Sequence, residues 1–399
     1  MTRIGMGMIG AGTAASHAHL PAIAAEEQFD LLALCDRDRS RLEKAHRLYP
    51  APMLSASPEE ILDSPGIQAV IIATPPDSHA EIIRLAVTRG KHVLVEKPLA
   101  CNTMECRDIL MAAASAGVCL RVGHEKRFHP SLRRVHDLIQ NGAIGDVYYG
   151  GIHWASNAKL NPNILIPEGY RTGYEWRWAN PAIGGGIVMD HLPHYVDLIY
   201  DWLQTRPIAV YAQIFNVARE RLDWPRPASV WEDLGVVLVR FNRGFTLRFE
   251  TGVVGRSLSP LWSLGSGIGE WTEYGYLLGT RGQILFDLLP WDSSENGRIA
   301  VWQLQRAAAE RLGWSFVEQP EPPRAAGSPA GAAHVMFSGQ LREFARAIKG
   351  ENDRAATAED GAFCIAAVEA AYRSAEERRE CGVLWPCSGS PASLEAPGG

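Results

Sequence analysis

The sequence predicts an α/β protein of two domains, a doubly wound parallel sheet followed by an α+β domain on a large, mainly antiparallel open sheet. Three observations lead there. The first third alternates short apolar runs with helical patterns, a glycine-rich turn joins the first run to the first helix, and the later half sets strand-like runs close together across hairpin turns. At 399 residues, 46% of them hydrophobic, the chain is longer than the roughly 250–300 residues at which single cores stop growing.

In the first third, Ile4–Ile9, Leu31–Cys35, Ala69–Ala73, His92–Val95 and Val118–Val122 read as strands. Ser16–Ala25, Arg39–Leu48, Pro58–Leu62, His79–Thr88 and Thr103–Ala116 read as the helices around them. Near-continuous apolar strands suit a sheet covered on both faces. After Gly123 the character changes. The runs Ile208–Phe215, Leu234–Phe241, Phe245–Thr251, Glu273–Gly279, Gln283–Asp287 and Ala300–Leu304 follow one another, with Asn242-Arg243-Gly244 and Thr280-Arg281-Gly282 as hairpin connections. Gln340–Ile348 and Gly361–Glu377 read as helices. The expected boundaries are 1–123 for the first domain and 124–385 for the second, with the final helices packing back on the first. Residues 386–399, poor in apolar side chains, are expected to form a disordered tail.

Composition narrows the partners. A formal net charge of -6 and the absence of a Lys/Arg block exclude a nucleic-acid footprint. No apolar stretch approaches the ~18–20 residues of a membrane span. The seven cysteines include no C-x-x-C pair and no signal-peptide layout precedes Ile4, so a cytoplasmic location is expected.

Gly10-Ala11-Gly12-Thr13-Ala14-Ala15 follows the first strand and opens the first helix. This is G-x-G-x-x-A in the context that dinucleotide binding requires: a tight turn at Gly10, close backbone approach to a pyrophosphate at Gly12, and a helix N-terminus whose N–H groups, at Thr13 and Ala14, face the phosphates. Asp36 closes the second strand and is placed to accept ribose hydroxyls, which favours NAD; Arg37 beside it keeps NADP open. Two segments follow later strands at the edge where such sheets bind ligands. They are Thr74-Pro75-Pro76-Asp77-Ser78-His79 and Glu96-Lys97-Pro98, in which Lys97 can meet a substrate hydroxyl beside the nicotinamide.

In the second domain Gly184-Gly185-Gly186 runs into a helical pattern in which Asp190 and His194, four apart, share one face, with Asp197 a turn further on. An acid and a histidine so placed suit polyol hydroxyls and proton exchange. His124 closes the fifth strand, where it can face the substrate. Trp176 and Trp178 offer flat faces to a sugar, and the long segment from Ala155 to Glu175 reads as a lid.

These motifs together make the chain resemble the glucose–fructose oxidoreductase/inositol dehydrogenase/rhizopine catabolism (Gfo/Idh/MocA) family, nearly end to end. The likeness runs through the Gly10–Ala15 loop, Thr74-Pro75-Pro76 with His79, Glu96-Lys97-Pro98, Arg127-Phe128-His129-Pro130, Trp176-Arg177, Gly279-Thr280-Arg281-Gly282 and Ala358-Glu359-Asp360-Gly361. It implies a Rossmann domain binding NAD or NADP, and a sheet domain that makes homodimers or homotetramers. It implies a sugar, sugar-derivative or cyclitol substrate. By the same likeness Lys97 orients and polarises the reacting hydroxyl, Asp190 binds a neighbouring one and His194 carries the proton, with Arg127, Arg177 and His191 counted on the substrate side. Where the family has D-x-G-x-H, this chain has Leu192 in place of glycine and His191 just after the acid. The resulting Asp190/His191/His194 group is not expected to hold a metal, because adjacent side chains diverge on a helix and no Glu or Cys completes a set. Two other readings stay open: a reductase of a nucleotide-linked keto-sugar or an imine, and a non-catalytic dinucleotide-sensing regulator, against which Lys97, Asp190 and His194 argue.

Overall fold

The computed structural model describes residues 3–156, 185–216, 232–252, 271–288, 297–304, 314–318 and 332–385. The chain divides into two compact units, Met1–His129 with Pro323–Ile365, and Pro130–Pro322 with Ala366–Gly399.

The first unit is a seven-stranded sheet. Its strands are β1 (Ile4–Ile9), β2 (Phe29–Cys35), β3 (Met53–Ser55), β4 (Ala69–Ile72), β5 (His92–Glu96), β6 (Leu120–Gly123) and the short β15 (Ala356–Thr357). They lie in the order β15-β6-β5-β4-β1-β2-β3, and β1 to β6 pair in parallel while β15 runs against β6. The order therefore reverses between β1 and β4, and the crevice at that switch point, outside the carboxyl ends of the strands, is where such sheets take ligands. Every residue of β1 and β4 is buried, as expected for strands covered on both faces. The connecting helices are α1 (Leu20–Ala25), entered through a π turn over Ala15–His19, α2 (Arg39–Leu48), α3 (Pro58–Asp63), α4 (His79–Thr88) and α5 (Thr103–Ala116). Asp38 caps α2 by accepting from Ser40 and Arg41 N–H, and Asn102 caps α5 through Glu105 N–H. β3 has no strand signal in the sequence; its three residues pair with Ala33–Cys35 of the established sheet.

The second unit begins with α6 (Pro130–Gln140) and β7 (Val147–Ser156) and continues with α7 (Ile187–Leu203). Its further strands are β8 (Pro207–Phe215), β9 (Leu234–Phe241), β10 (Thr246–Gly252), β11 (Trp271–Gly279), β12 (Gly282–Leu288), β13 (Arg298–Gln303), β14 (Trp314–Phe316) and β16 (Cys381–Gly382). The nine strands lie in the order β14-β13-β12-β11-β7-β10-β9-β8-β16. Both expected hairpins are present, β9–β10 and β11–β12. The pairing is antiparallel except where β10 joins β7 in parallel, a crossover that local patterns do not announce. One face of this sheet packs on α7 through Trp154, Phe249 and Val237, all fully buried. The opposite face carries partly exposed Tyr211, Phe215, Val236 and Leu238.

Two helices complete the described chain, α8 (Ala332–Ile348) and α9 (Ala358–Glu377). Thr357 and Asp360 form a reciprocal cap at the start of α9, each accepting the other's backbone N–H. The division between the units falls inside α9. Among the described residues no helix is long and apolar enough to cross a membrane.

Candidate active site

In the first unit the glycine turn is built as dinucleotide binding requires. Gly10 has φ +98°, and a Cβ there would meet the Ala73 carbonyl at 2.6 Å, so only glycine fits between β1 and β4. A Cβ on Gly12 would meet nothing within 4 Å, which leaves the backbone open to a ligand. Asp36 accepts from Ala11 N–H at 2.7 Å and from Asp38 N–H at 2.8 Å. Each carboxylate oxygen retains lone-pair capacity for ribose hydroxyls, while the carboxylate also fixes the turn. Arg37 is exposed beside it. The open backbone, the helix start and the acid together fit a dinucleotide.

At the end of β4, the Ser78 hydroxyl donates to the Pro75 carbonyl at 2.7 Å and accepts from the Thr74 hydroxyl at 2.8 Å, holding the turn that contains Pro76. His79, expected at the cofactor, has a fully buried ring bonded to the Thr74 and Pro98 carbonyls. At the end of β5, Glu96 accepts from His19 Nε2 at 2.6 Å, so the helix after the glycine turn is pinned to the strand that delivers Lys97. Burial alone would raise the Glu96 carboxyl, but the His19 bond and the charges of His19, Lys97 and His79 hold it below the ordinary range. Its partner was not legible in sequence, since His19 lies 77 positions away. Gly123 of β6 lies opposite Glu96, and a Cβ there would stand 3.3 Å from Glu96 Oε1.

The next segment adds a group that the motifs did not point to. Burial, followed by the Glu96 charge, pushes the Glu125 carboxyl up to about 7. His124 is buried, and burial followed by the Arg127 charge pushes its imidazole down to about 3. Arg127, expected on the substrate side, is 5% exposed; its guanidinium donates to Asp360 Oδ2 and to the Arg354 carbonyl, each at 3.2 Å. Those bonds tie the end of β6 to the start of α9.

In the second unit, Asp190, His194 and Asp197 follow one face of α7 and all are buried. The helix contains Pro193, which costs one bond of its ladder. His191 does not join that face. Its ring stacks on Trp154 with centroids 3.7 Å apart and its Nδ1 bonds the Ile187 carbonyl. The Tyr195 hydroxyl likewise turns to the sheet and donates to Glu273 at 2.7 Å. The histidine that the sequence set beside the acid is therefore engaged with the core.

The start of α7 is held by groups with no motif of their own. Glu232, just before β9, accepts from Gly186 N–H at 3.2 Å and Val188 N–H at 2.9 Å, and Tyr372 of α9 donates its hydroxyl to the same carboxylate at 2.8 Å. A Cβ on Gly185 would collide with the Tyr372 hydroxyl and with Met189 Cβ. This glycine thus admits a side chain of the protein. Trp176, Arg177 and Trp178, Gly184, the tail 386–399 and the expected lid beyond Ser156 lie outside the described residues.

Comparison with known proteins agrees with this scaffold. Residues 4–124 match a family described as "Oxidoreductase family, NAD-binding Rossmann fold", and residues 132–267 match the GFO/IDH/MocA C-terminal domain. The chain belongs to this family. Its first unit is accordingly an NAD-binding Rossmann domain. Among its relatives, a 1-carboxy-3-chloro-3,4-dihydroxycyclohexa-1,5-diene dehydrogenase of Comamonas testosteroni is 30% identical over 233 residues, 58% of this chain and 55% of that protein. A 1,5-anhydro-D-fructose reductase of Ensifer adhaerens is 31% identical over 199 residues, 49% of this chain and 56% of that protein. "Oxidoreductase P35" of Formosa agariphila is 29% identical over 50% of this chain and 60% of its own length. The matches thus span little more than half of these relatives. Among solved structures, levoglucosan dehydrogenase in complex with NADH and levoglucosan shares the fold, with a TM-score of 0.78 at 21% identity, covering 96% of this chain and 100% of that one.

Proposed function

We propose that this oxidoreductase moves a hydride between a nicotinamide cofactor and a hydroxyl-bearing or keto carbon of a sugar, sugar derivative or cyclitol. The observation that carries the reading is the buried face of α7, where Asp190 and His194 stand one turn apart, in a chain whose first unit binds NAD. The names of the relatives support the substrate class: one reduces an anhydro-sugar, another oxidises a dihydroxylated ring, and a structural neighbour carries an anhydro-sugar with NADH.

In this reading Gly10, Gly12, Thr13, Ala14 and Asp36 hold the dinucleotide, with Thr74, Pro75, Pro76 and Glu96 shaping the adjoining loops. When bound, the nicotinamide ring supplies the hydride acceptor or donor. Lys97 donates to the reacting oxygen and stabilises its negative charge, Asp190 orients a neighbouring hydroxyl, and His194 takes or returns the hydroxyl proton. Replacing Lys97 by Met or His194 by Gln is expected to lower kcat by ~10²–10⁴-fold with NAD(H) affinity retained. Turnover at the wild-type rate in either variant refutes the assignment. Thermal-shift titration with NAD(H) and NADP(H), followed by a polyol panel with the preferred cofactor, identifies both substrates.

The same reading includes a homodimer or homotetramer formed through the open sheet face. The apolar row Tyr211, Phe215, Val236 and Leu238 on neighbouring strands β8 and β9 supports it. Leu238→Asp is expected to shift the sedimentation profile toward monomer, and an unchanged profile rules that face out.

A further inference from the structure

His79 opens α4 directly after the turn over Pro76–Ser78, and none of its surface is exposed. Its Nδ1 lies 2.9 Å from the Pro98 carbonyl oxygen and its Nε2 lies 2.9 Å from the Thr74 carbonyl oxygen. A carbonyl oxygen only accepts. Each contact is therefore a hydrogen bond only if the ring nitrogen in it carries a proton. A neutral imidazole carries one, and its other nitrogen would then hold a lone pair against a carbonyl in a buried place, where repulsion is not screened.

We infer that His79 is held as the doubly protonated imidazolium, a positioning residue that clamps the turn after β4 to the segment containing Lys97 and Pro98. The two clamped carbonyls belong to the loops that leave the carboxyl ends of neighbouring strands β4 and β5, the edge where this sheet takes its ligand. The side chain is a rigid strut between them, one residue removed from Lys97. The charged groups on the elements it joins are Asp77 of the turn, Glu81 and Arg84 of α4, and Glu96 and Lys97 at the end of β5. Among these Glu96 supplies the counter-charge, and the His79 charge contributes to holding its carboxyl below the ordinary range. The positive end of the α4 dipole works against a cation at this position. Two charge-assisted bonds to carbonyls and a neighbouring carboxylate work for it. The positioning role rests on the assignment of Lys97 proposed above; the protonation state does not.

The full chain labelled with ¹⁵N at histidine, studied without cofactor, reads the state directly. His79→Asn assigns the His79 signals. At pH 7.5 both ring nitrogens of His79 are expected to show protonated-type shifts. One protonated and one bare nitrogen on His79 at that pH overturns the inference. His79→Phe keeps the ring and removes both donors. It is expected to lower kcat by about tenfold or more, with KM for the substrate changed far less, and His79→Gln, which restores one carbonyl bond, should fall between. Wild-type kcat in His79→Phe alongside a dead Lys97→Met refutes the clamp alone. Wild-type kcat in Lys97→Met refutes the Lys97 assignment, and the nitrogen shifts still decide the charge.

Discussion

Replacing Glu232 by Ala tests whether the start of α7 is held from outside the helix. The carboxylate receives Gly186 N–H, Val188 N–H and the Tyr372 hydroxyl; in the Ala variant Gly186 N–H keeps the Tyr372 oxygen at 3.2 Å, and Val188 N–H and the Tyr372 hydroxyl lose their acceptor in a buried space. Each orphaned buried donor costs ~1–3 kcal/mol, so a loss of roughly 2–6 kcal/mol follows from the donors alone. Against this stands relief from burying a carboxylate, because burial pushes the Glu232 carboxyl above its ordinary value despite those bonds. The net expectation is a loss of ~3 kcal/mol. Glu232→Gln keeps the shape and one acceptor oxygen and should recover at least half of it. Tyr372→Phe removes a single bond to the carboxylate and should cost ~1.5–3 kcal/mol. With two compact units, a single unfolding midpoint mixes contributions, so hydrogen exchange at the amides of Val188, Met189 and Asp190 is the sharper assay. Exchange there should accelerate strongly in Glu232→Ala. A stability change under ~0.5 kcal/mol, the range of an ordinary surface substitution, with unchanged exchange would show that α7 does not need the clamp.

Other consequences follow from the buried ionisable groups. The folded state raises the Glu125 carboxyl from 4.5 to about 7. Its contribution to stability is therefore complete below the ordinary value and is lost as pH rises through about 7, with a ceiling of ~3 kcal/mol; Glu125→Gln should flatten the decline that urea unfolding records across that window, and an unaltered slope refutes it. His129 moves the other way: burial, with the Lys126 charge adding, lowers it from 6.5 to about 3. Its contribution is present above 6.5 and is lost as pH falls toward 3, so His129→Gln should make acid unfolding shallower in a pH-titrated melt. Arg127→Met strands Asp360 without its guanidinium partner at 3.2 Å and should cost ~3–5 kcal/mol by chemical denaturation; a loss below ~1 kcal/mol would place the pair among surface ion pairs.

The features that the sequence by itself determined are those whose cause is local. The tight turn at Gly10 follows from a backbone that only glycine adopts, the alternation of β1 to β6 with helices follows from apolar periodicity, and the shared face of Asp190 and His194 follows from 3.6 residues per turn. The hairpins at Asn242–Gly244 and Thr280–Gly282 are equally local. Tertiary structure decided which partner each polar group met. Glu96 found His19, Arg127 found Asp360 more than 200 positions away, and Glu232 found the start of α7. His191 stands next to Asp190, yet the packing of α7 on β7 turns it onto Trp154. The parallel pairing of β10 with β7 and the three-residue β3 also depend on strands supplied from elsewhere. Periodicity specifies a face and a turn chemistry specifies a bend, but a buried donor or charge takes its partner from whatever the folded chain brings within ~3 Å of it. That choice exists only once the layers have packed.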